Sequence, residues 1–206
     1  MDEVLKAKKT QVEMVHDRGF VIPDNEQFVL TITDDKPQVK KLKNLKVNQH
    51  YVMANNNDIT LYVHYSPEDK LIDSVKAFVK QMATHTHGIF IGDDEDLKNI
   101  TKKQYQDHLN KLTLKNIQLF TYDELSFNVI KHVYQPTFQV VDASLIIPSL
   151  ANANQLPMFL KNDPVVKYYD WPAGSVIKVT ETLYLDDLVD RHVSFSIVTN
   201  KIKTYK

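Results

Sequence analysis

His85 and His87, one residue apart, are the side chains in this sequence best spaced to share a metal ion. Two imidazoles alternating along an extended segment can face one cation, with His64 or Asp93 as a further ligand. A polar helix-to-strand connection that carries two histidines is the favoured alternative, because a metal would need that further ligand as well. His16, His108, His132 and His192 stand at no ligand spacing. Asp93-Asp94-Glu95-Asp96 offers oxygen ligands for a divalent cation. Consecutive acids point in different directions, however, and the run opens a helix, where negative charge is favourable. Asp58 upstream of Glu68 and Lys70 has the order of a metal-dependent nuclease site, in which an Asp and a Glu-x-Lys hold Mg²⁺ and activate water. Here Glu68 and Lys70 fall in a helix turn led by Pro67, away from any core strand beside Asp58. The acids of a helix start account for them without catalysis.

Other chemistries are excluded more directly. The four glycines, Gly19, Gly88, Gly92 and Gly174, fall at no phosphate-loop or dinucleotide spacing. There is no Gly-x-Ser-x-Gly elbow and no cysteine, which removes a thiol nucleophile and a disulfide framework and fits a reducing compartment. No cofactor and no resident metal are expected. The 25 basic and 26 acidic residues leave a net charge of −1, so any contact with nucleic acid must come from a local patch. The one candidate is the polar stretch bearing Lys36, Lys40, Lys41, Lys43 and Lys46, which lacks the interleaved aromatics that stack bases. No apolar run reaches the roughly 20 residues of a membrane span. The first residues show no basic-then-apolar leader.

The elements that would carry these residues follow from periodicity. Val4, Leu5, Val12 and Val15 share a stripe on a helix over 3–18, stopped by Gly19. Asp24 and Gln27 read as the N-cap and third residue of a short second helix. Period-two alternation then predicts a hairpin, 51–54 and 59–65, turning at Asn55-Asn56-Asn57-Asp58, with Ile59, Leu61, Val63 and Tyr65 on one face. Ser66 and Pro67 start a helix whose face is Leu71, Ile72, Val75, Phe78, Val79 and Met82. Strand 88–92, a helix from a Thr101–Gln104 capping box to Leu112, and strand 117–122 complete a parallel element with helical crossovers. Alternation stops near Tyr134-Gln135-Pro136, which sets a domain boundary: 1–133 and 136–206. The second domain offers a strand at 138–141, then a helix-like start at Asp142 that Pro148 opposes. A helix follows, capped by Asp163 with Pro164 at its first position, then a turn at 171–174. Strands 175–180 and 193–199 close it, joined by an acidic loop with Asp186, Asp187 and Asp190. The fold class is α+β: an α/β first domain with a small, partly parallel sheet and a smaller α+β second domain. Tyr168, Tyr169 and Trp171, with Pro164 and Pro172, form an aromatic patch that serves either as core or as a docking face.

Two stretches carry a family likeness. One runs from Lys9 to Phe20 and ends in Asp17-Arg18-Gly19-Phe20. The other is Leu156-Pro157, then Asp163-Pro164-Val165-Val166-Lys167-Tyr168-Tyr169, then Gly174 with Lys178 four residues on. Both resemble the fifth subunit of multisubunit DNA-directed RNA polymerases, a family shared by eukaryotes and archaea, and the likeness in order and spacing covers nearly the whole chain. It implies a jaw domain near downstream duplex DNA and an assembly domain that docks on the largest polymerase subunit, with nucleotidyl transfer left to other subunits. Leu156, Pro157, Asp163, Pro164, Lys167, Tyr168, Tyr169 and Lys178 become the partner-binding candidates, and the 36–46 lysines the DNA-proximal ones. Other polymerase subunits are implied partners; a membrane and a small-molecule substrate are not. The sequence departs from the family pattern at Phe138, where a His is usual, at Pro148, and at Thr180-Glu181-Thr182 with its acidic continuation. Because Arg18 and Arg191 are the two arginines among 25 basic residues, the composition points to an A+T-rich genome. A large DNA virus, with the protein in host cytoplasm and virion, is then preferred to a cellular source, for which the implied location is the nucleus.

Overall fold

The computed structural model describes residues 3–31, 48–66, 71–100, 102–112, 115–145, 156–185 and 188–200. The chain divides into two compact units, Met1–Asn128 and Val129–Lys206. Both mix helices with a four-stranded sheet, so the class is α+β.

The first unit begins with α1 (Glu3–Asp17), α2 (Asp24–Gln27) and a 3-10 turn at Phe28–Thr31. Gly19 ends α1 at φ +86°, a left-handed conformation that a side chain would strain. Its sheet contains β1 (Gln49–Met53), β2 (Asn56–Tyr65), β3 (His87–Gly92) and β4 (Asn116–Thr121), in that spatial order. β1 and β2 are an antiparallel hairpin, while β2, β3 and β4 run parallel. The crossovers are α3 (Leu71–Met82), then α4 (Asp94–Ile100) with α5 (Lys103–Leu109).

The sheet is covered on both faces. Tyr51, Leu61, Val63, Tyr65, Ile89 and Ile91 are buried on the α1 side. Tyr62 and Phe90, on the other face, pack with Val75, Phe78 and Met82 of α3, with Ile100, and with Leu112 after α5. Each such apolar side chain contributes about 1.5–3 kcal/mol when taken out of water. α3 packs closely over Gly88: a Cβ would lie 2.5 Å from Met82 Sδ and 2.7 Å from Phe78 Cζ, so these side chains would have to shift to admit one.

α1 is buried well beyond an apolar stripe. Lys8, Thr10, Gln11 and Glu13 are buried alongside Leu5, Val12 and Val15, whereas Val4 is half-buried. Lys8 Nζ pairs with Glu26 Oε1 at 2.9 Å, and the Tyr51 hydroxyl donates to Glu26 Oε2 at 2.6 Å. Gln11 Nε2 donates to the Tyr51 oxygen at 3.1 Å. Burial pulls the Lys8 ammonium below its usual pKa, with Glu26 opposing that shift. Asp24 is not the cap of α2: it already lies in the helix, and Pro23 occupies the N-cap without a side-chain hydrogen bond. The Asp24 carboxylate instead accepts from Gln27 Nε2 at 3.2 Å.

The second unit holds β5 (Thr137–Val141), β6 (Met158–Leu160), α6 (Pro164–Tyr169), β7 (Val176–Leu185) and β8 (Leu188–Thr199). The sheet order is β5-β7-β8-β6; β6 runs parallel to β8 and the other pairs are antiparallel. The acidic connection expected between residues 180 and 193 is a correction. β7 and β8 stay paired through Glu181↔His192, Leu183↔Asp190 and Leu185↔Leu188. Asp190 is therefore a strand residue. Thr182 and Tyr184 on one strand and Val189 on the other are β-branched or aromatic residue types that strands favour. Asp186, Asp187 and Pro148 lie outside the described residues, and the helix start expected at Asp142 is a 3-10 turn at Ala143–Leu145.

Candidate docking surface of the C-terminal unit

α6 is fixed at both ends by its own sequence. Asp163 Oδ1 accepts from the Val165 amide at 2.9 Å, and Pro164 takes the first position, where no amide is needed. At the other end Asp170 adopts a left-handed conformation, φ 55°, and its N–H reaches the Val166 carbonyl. Lys161 Nζ ties this corner to the strands, donating to Asp170 Oδ1 and to the Trp171 carbonyl, both at 2.9 Å. Val165 and Val166 on the inner face of α6, with Trp171 just beyond its end, pack against Ile177, Val179 and Val198.

This geometry divides the eight candidate residues. Leu156 and Tyr168 are buried and belong to the fold. Asp163 and Pro164 set the helix start. Pro157 is exposed, and its carbonyl accepts from the Ile197 amide at 2.9 Å. Tyr169 stacks on Trp171, ring centroids 4.6 Å apart and 12° from parallel, and stays half-buried beside Lys167. The aromatic patch is thus core at Tyr168 and Trp171 and partly open at Tyr169. Lys178 stands apart from the helix. Its neighbours Ile177 and Val179 point into the core, so strand alternation turns Lys178 to the opposite face.

That opposite face is the feature the sequence reading missed. Lys178 pairs across to Phe195, Thr180 to Val193, and Met158 to Ile197. Val193 is 43% exposed and Met158 36% exposed, and Phe195, Ile197 and Val141 are half-buried. Period-two apolar residues at 193, 195 and 197 were the available signal, but alternation alone does not tell which face a helix covers. Beyond Thr180 and Val193, β7 and β8 continue as a ribbon of two strands, because β5 pairs only as far as Thr180.

The other candidates separate in the same way. Lys36, Lys40, Lys41, Lys43, Lys46, Glu68 and Lys70 lie outside the described residues. Asp58 is exposed at the hairpin tip, its amide bonded to Asn56 Oδ1 at 3.0 Å. Asp93 Oδ1 accepts from the Asp96 amide at 2.6 Å, the helix-capping role expected for the acid run. Asp96 has its pKa raised, chiefly by burial. His85 and His87 part company: His87 meets Phe20 edge-on, 6.5 Å between centroids, while His85 lies beside Tyr62 and His50. His64 is buried between Tyr62 and Ser74. Among the described residues no three potential ligands converge.

By class, then, this is a two-unit α+β protein whose smaller unit is a helix-on-sheet module. Residues 127–198, nearly the whole of that unit, match the family model of the RNA polymerase Rpb5 C-terminal domain. The chain is 27% identical over 211 residues to subunit 5B of DNA-directed RNA polymerases IV and V of Arabidopsis thaliana, covering 94% of this chain and 88% of that one. Subunit RPABC1 of DNA-directed RNA polymerases I, II and III of Caenorhabditis briggsae is 25% identical over 206 residues, covering 94% of each. Subunit 5A of RNA polymerase V of Arabidopsis thaliana is 24% identical over 208 residues, 93% of this chain and 86% of the relative. Along nearly its whole length the chain is thus similar to fifth subunits of DNA-directed RNA polymerases.

Proposed function

We propose that the protein is a non-catalytic subunit of a DNA-directed RNA polymerase, with the unit around residues 136–206 docking on the largest subunit and residues 1–133 forming part of the jaw near downstream DNA. The observation that carries this reading is the match of residues 127–198 to the C-terminal-domain family, together with similarity to whole polymerase subunits along 94% of the chain. The half-open sheet face around Val193, Phe195, Ile197 and Lys178 supports it, since apolar residues with a charged edge suit a protein interface. Lys167 and Tyr169 on the outer side of α6 are a second candidate contact. The lysines at 36–46 would act through phosphate contacts that weaken with salt. The relatives are plant and nematode proteins, so the nucleus is the location this reading favours; they lend a viral origin no support.

Affinity purification of the full chain from its own cells, followed by mass spectrometry, tests the proposal. Recovery of the largest polymerase subunit in near-stoichiometric amount is expected. Recovery of the chain without polymerase subunits would overturn it.

A further inference from the structure

β8 lies between two strands of very different reach. β7 pairs with it from Leu188 to Ile197. β6 takes its other side at Ile197, Val198 and Thr199 alone. Among the described residues no strand adjoins that side of β8 from Leu188 to Ser196. The Val198 amide donates to the Ser175 carbonyl, toward β7, and the Ile197 amide donates to the Pro157 carbonyl, toward β6, both at 2.9 Å. Antiparallel pairing alternates these two directions along a strand, so Arg191, Val193 and Phe195 turn their backbone groups outward as Ile197 does. The Asp190 carboxylate accepts from the Arg191 amide at 2.8 Å, which closes the run at that end. Val193 and Phe195 therefore carry their amides and carbonyls on an open edge, next to the Arg191 carbonyl. Val193 is 43% exposed, Arg191 and His192 are exposed, and Phe195 is half-buried.

We infer that the free edge of β8, from Arg191 to Phe195, receives an extended segment of about five residues from the polymerase subunit on which this unit docks, added to the sheet as a further strand. This deepens the docking proposed above and rests on it, moving the contact from a sheet face to a strand edge. Main-chain donors and acceptors that repeat every second residue are matched by another extended backbone and by little else. β6 already fills the same lane beside Ile197–Thr199, so the incoming segment continues that lane alongside Phe195 and Val193. The side chains of β8 set the chemistry of the newcomer. On the open face it places apolar residues beside Phe195 and Val193 and an acidic one beside Arg191. On the α6 side it meets Ser194 and His192, which suit polar residues. A shift of one residue would put its apolar side chains against Ser194 and His192, so the same alternation fixes the register. Thr182 of β7, paired with Arg191, also turns its amide outward, but on the far edge of the ribbon, beyond the end of β5.

Proline tests the edge directly, because an outward amide carries no bond of the protein's own sheet. The full chain, native or variant, is purified by affinity from its own cells, and the polymerase subunits recovered with it are quantified by mass spectrometry. Val193→Pro should cut recovery about tenfold or more, since the ring removes a donor and obstructs the lane. Thr182→Pro, the same change on the far edge, should leave recovery unchanged. In the native complex the Val193 and Phe195 amides should exchange hydrogen about tenfold or more slowly than in the free chain. Undiminished recovery with Val193→Pro would overturn the inference and leave the docking proposal standing. So would an equal loss with Thr182→Pro, or exchange that assembly does not slow. A native chain that recovers no polymerase subunit overturns the docking proposal itself, and this inference with it. A free chain that is dimeric, and monomeric as Val193→Pro, would make a second copy the occupant and overturn the inference as well. Should Val193→Pro fail to fold, the exchange measurement on the native complex still decides the matter.

Discussion

Asp163 does its work through one oxygen. Its carboxylate closes the first turn of α6 by accepting from the Val165 amide at 2.9 Å. Asp163→Ala should cost about 1 kcal/mol of stability, while Asp163→Asn should retain most of it, as read from urea unfolding of the full chain. A loss of equal size in both variants would assign the residue some other role. His64 makes a pH-dependent contribution. It is buried, bonded to the Tyr62 hydroxyl at 3.1 Å and to Ser74 Oγ at 2.7 Å, and burial pushes its pKa down to about 4. The unfolded chain takes up this proton near pH 6.5. The neutral, buried form therefore contributes fully above about pH 6.5, and its contribution is lost as pH falls toward 4. A difference of roughly 2.5 pH units corresponds to at most about 3 kcal/mol. Stability measured at pH 7 and 4.5 should fall less for His64→Gln than for the native chain; an equal fall would place the acid sensitivity elsewhere.

Between elements, the buried charges of α1 and α2 matter most. Lys8 and Glu26 are almost inaccessible, at 3% and 0%, so neither can turn to water if its partner is removed. Lys8→Met should cost about 3–5 kcal/mol by leaving the Glu26 carboxylate uncompensated. The double variant Lys8→Met/Glu26→Leu should recover a sizeable part of that loss, although the Tyr51 hydroxyl then loses its acceptor. Chemical denaturation of the two single variants and the double variant measures the coupling, and additive losses would show that the pair is not energetically linked. This polar network also explains a limit of the sequence reading. The stripe Val4, Leu5, Val12 and Val15 identifies α1, and by helical periodicity Lys8 falls in the middle of that stripe and Gln11 at its edge, while Glu13 falls on the far side; what periodicity does not give is the partner each polar group needs. Lys8 and Gln11 are accommodated because α2 and β1 bring Glu26 and Tyr51 to them, and Glu13 accepts from Asn128 Nδ2 at 2.8 Å; pairing between segments so far apart in the chain leaves no periodic trace.

At the scale of the whole molecule, the exposed side of the second sheet carries the proposed attachment. Val193→Asp alters an exposed strand position, so folding stability should change by no more than about 0.5 kcal/mol. If that face docks on the largest subunit, burying the new carboxylate should reduce recovery of that subunit about tenfold or more, read by quantitative mass spectrometry against the native chain. Unchanged recovery would move attention to Lys167 and Tyr169 on α6. The sequence by itself determined the parallel β2-α3-β3 order, the Asp163-Pro164 start of α6, the left-handed stop at Gly19 and the family likeness. These depend on periodicity and on residues acting within one turn of themselves. Only the tertiary structure decided that Lys178 faces away from α6, that Asp190 extends a strand, that Lys8 pairs with Glu26, and that His85 meets His50 instead of His87. Each of these depends on which distant segment covers a face, and chain neighbours do not encode that choice.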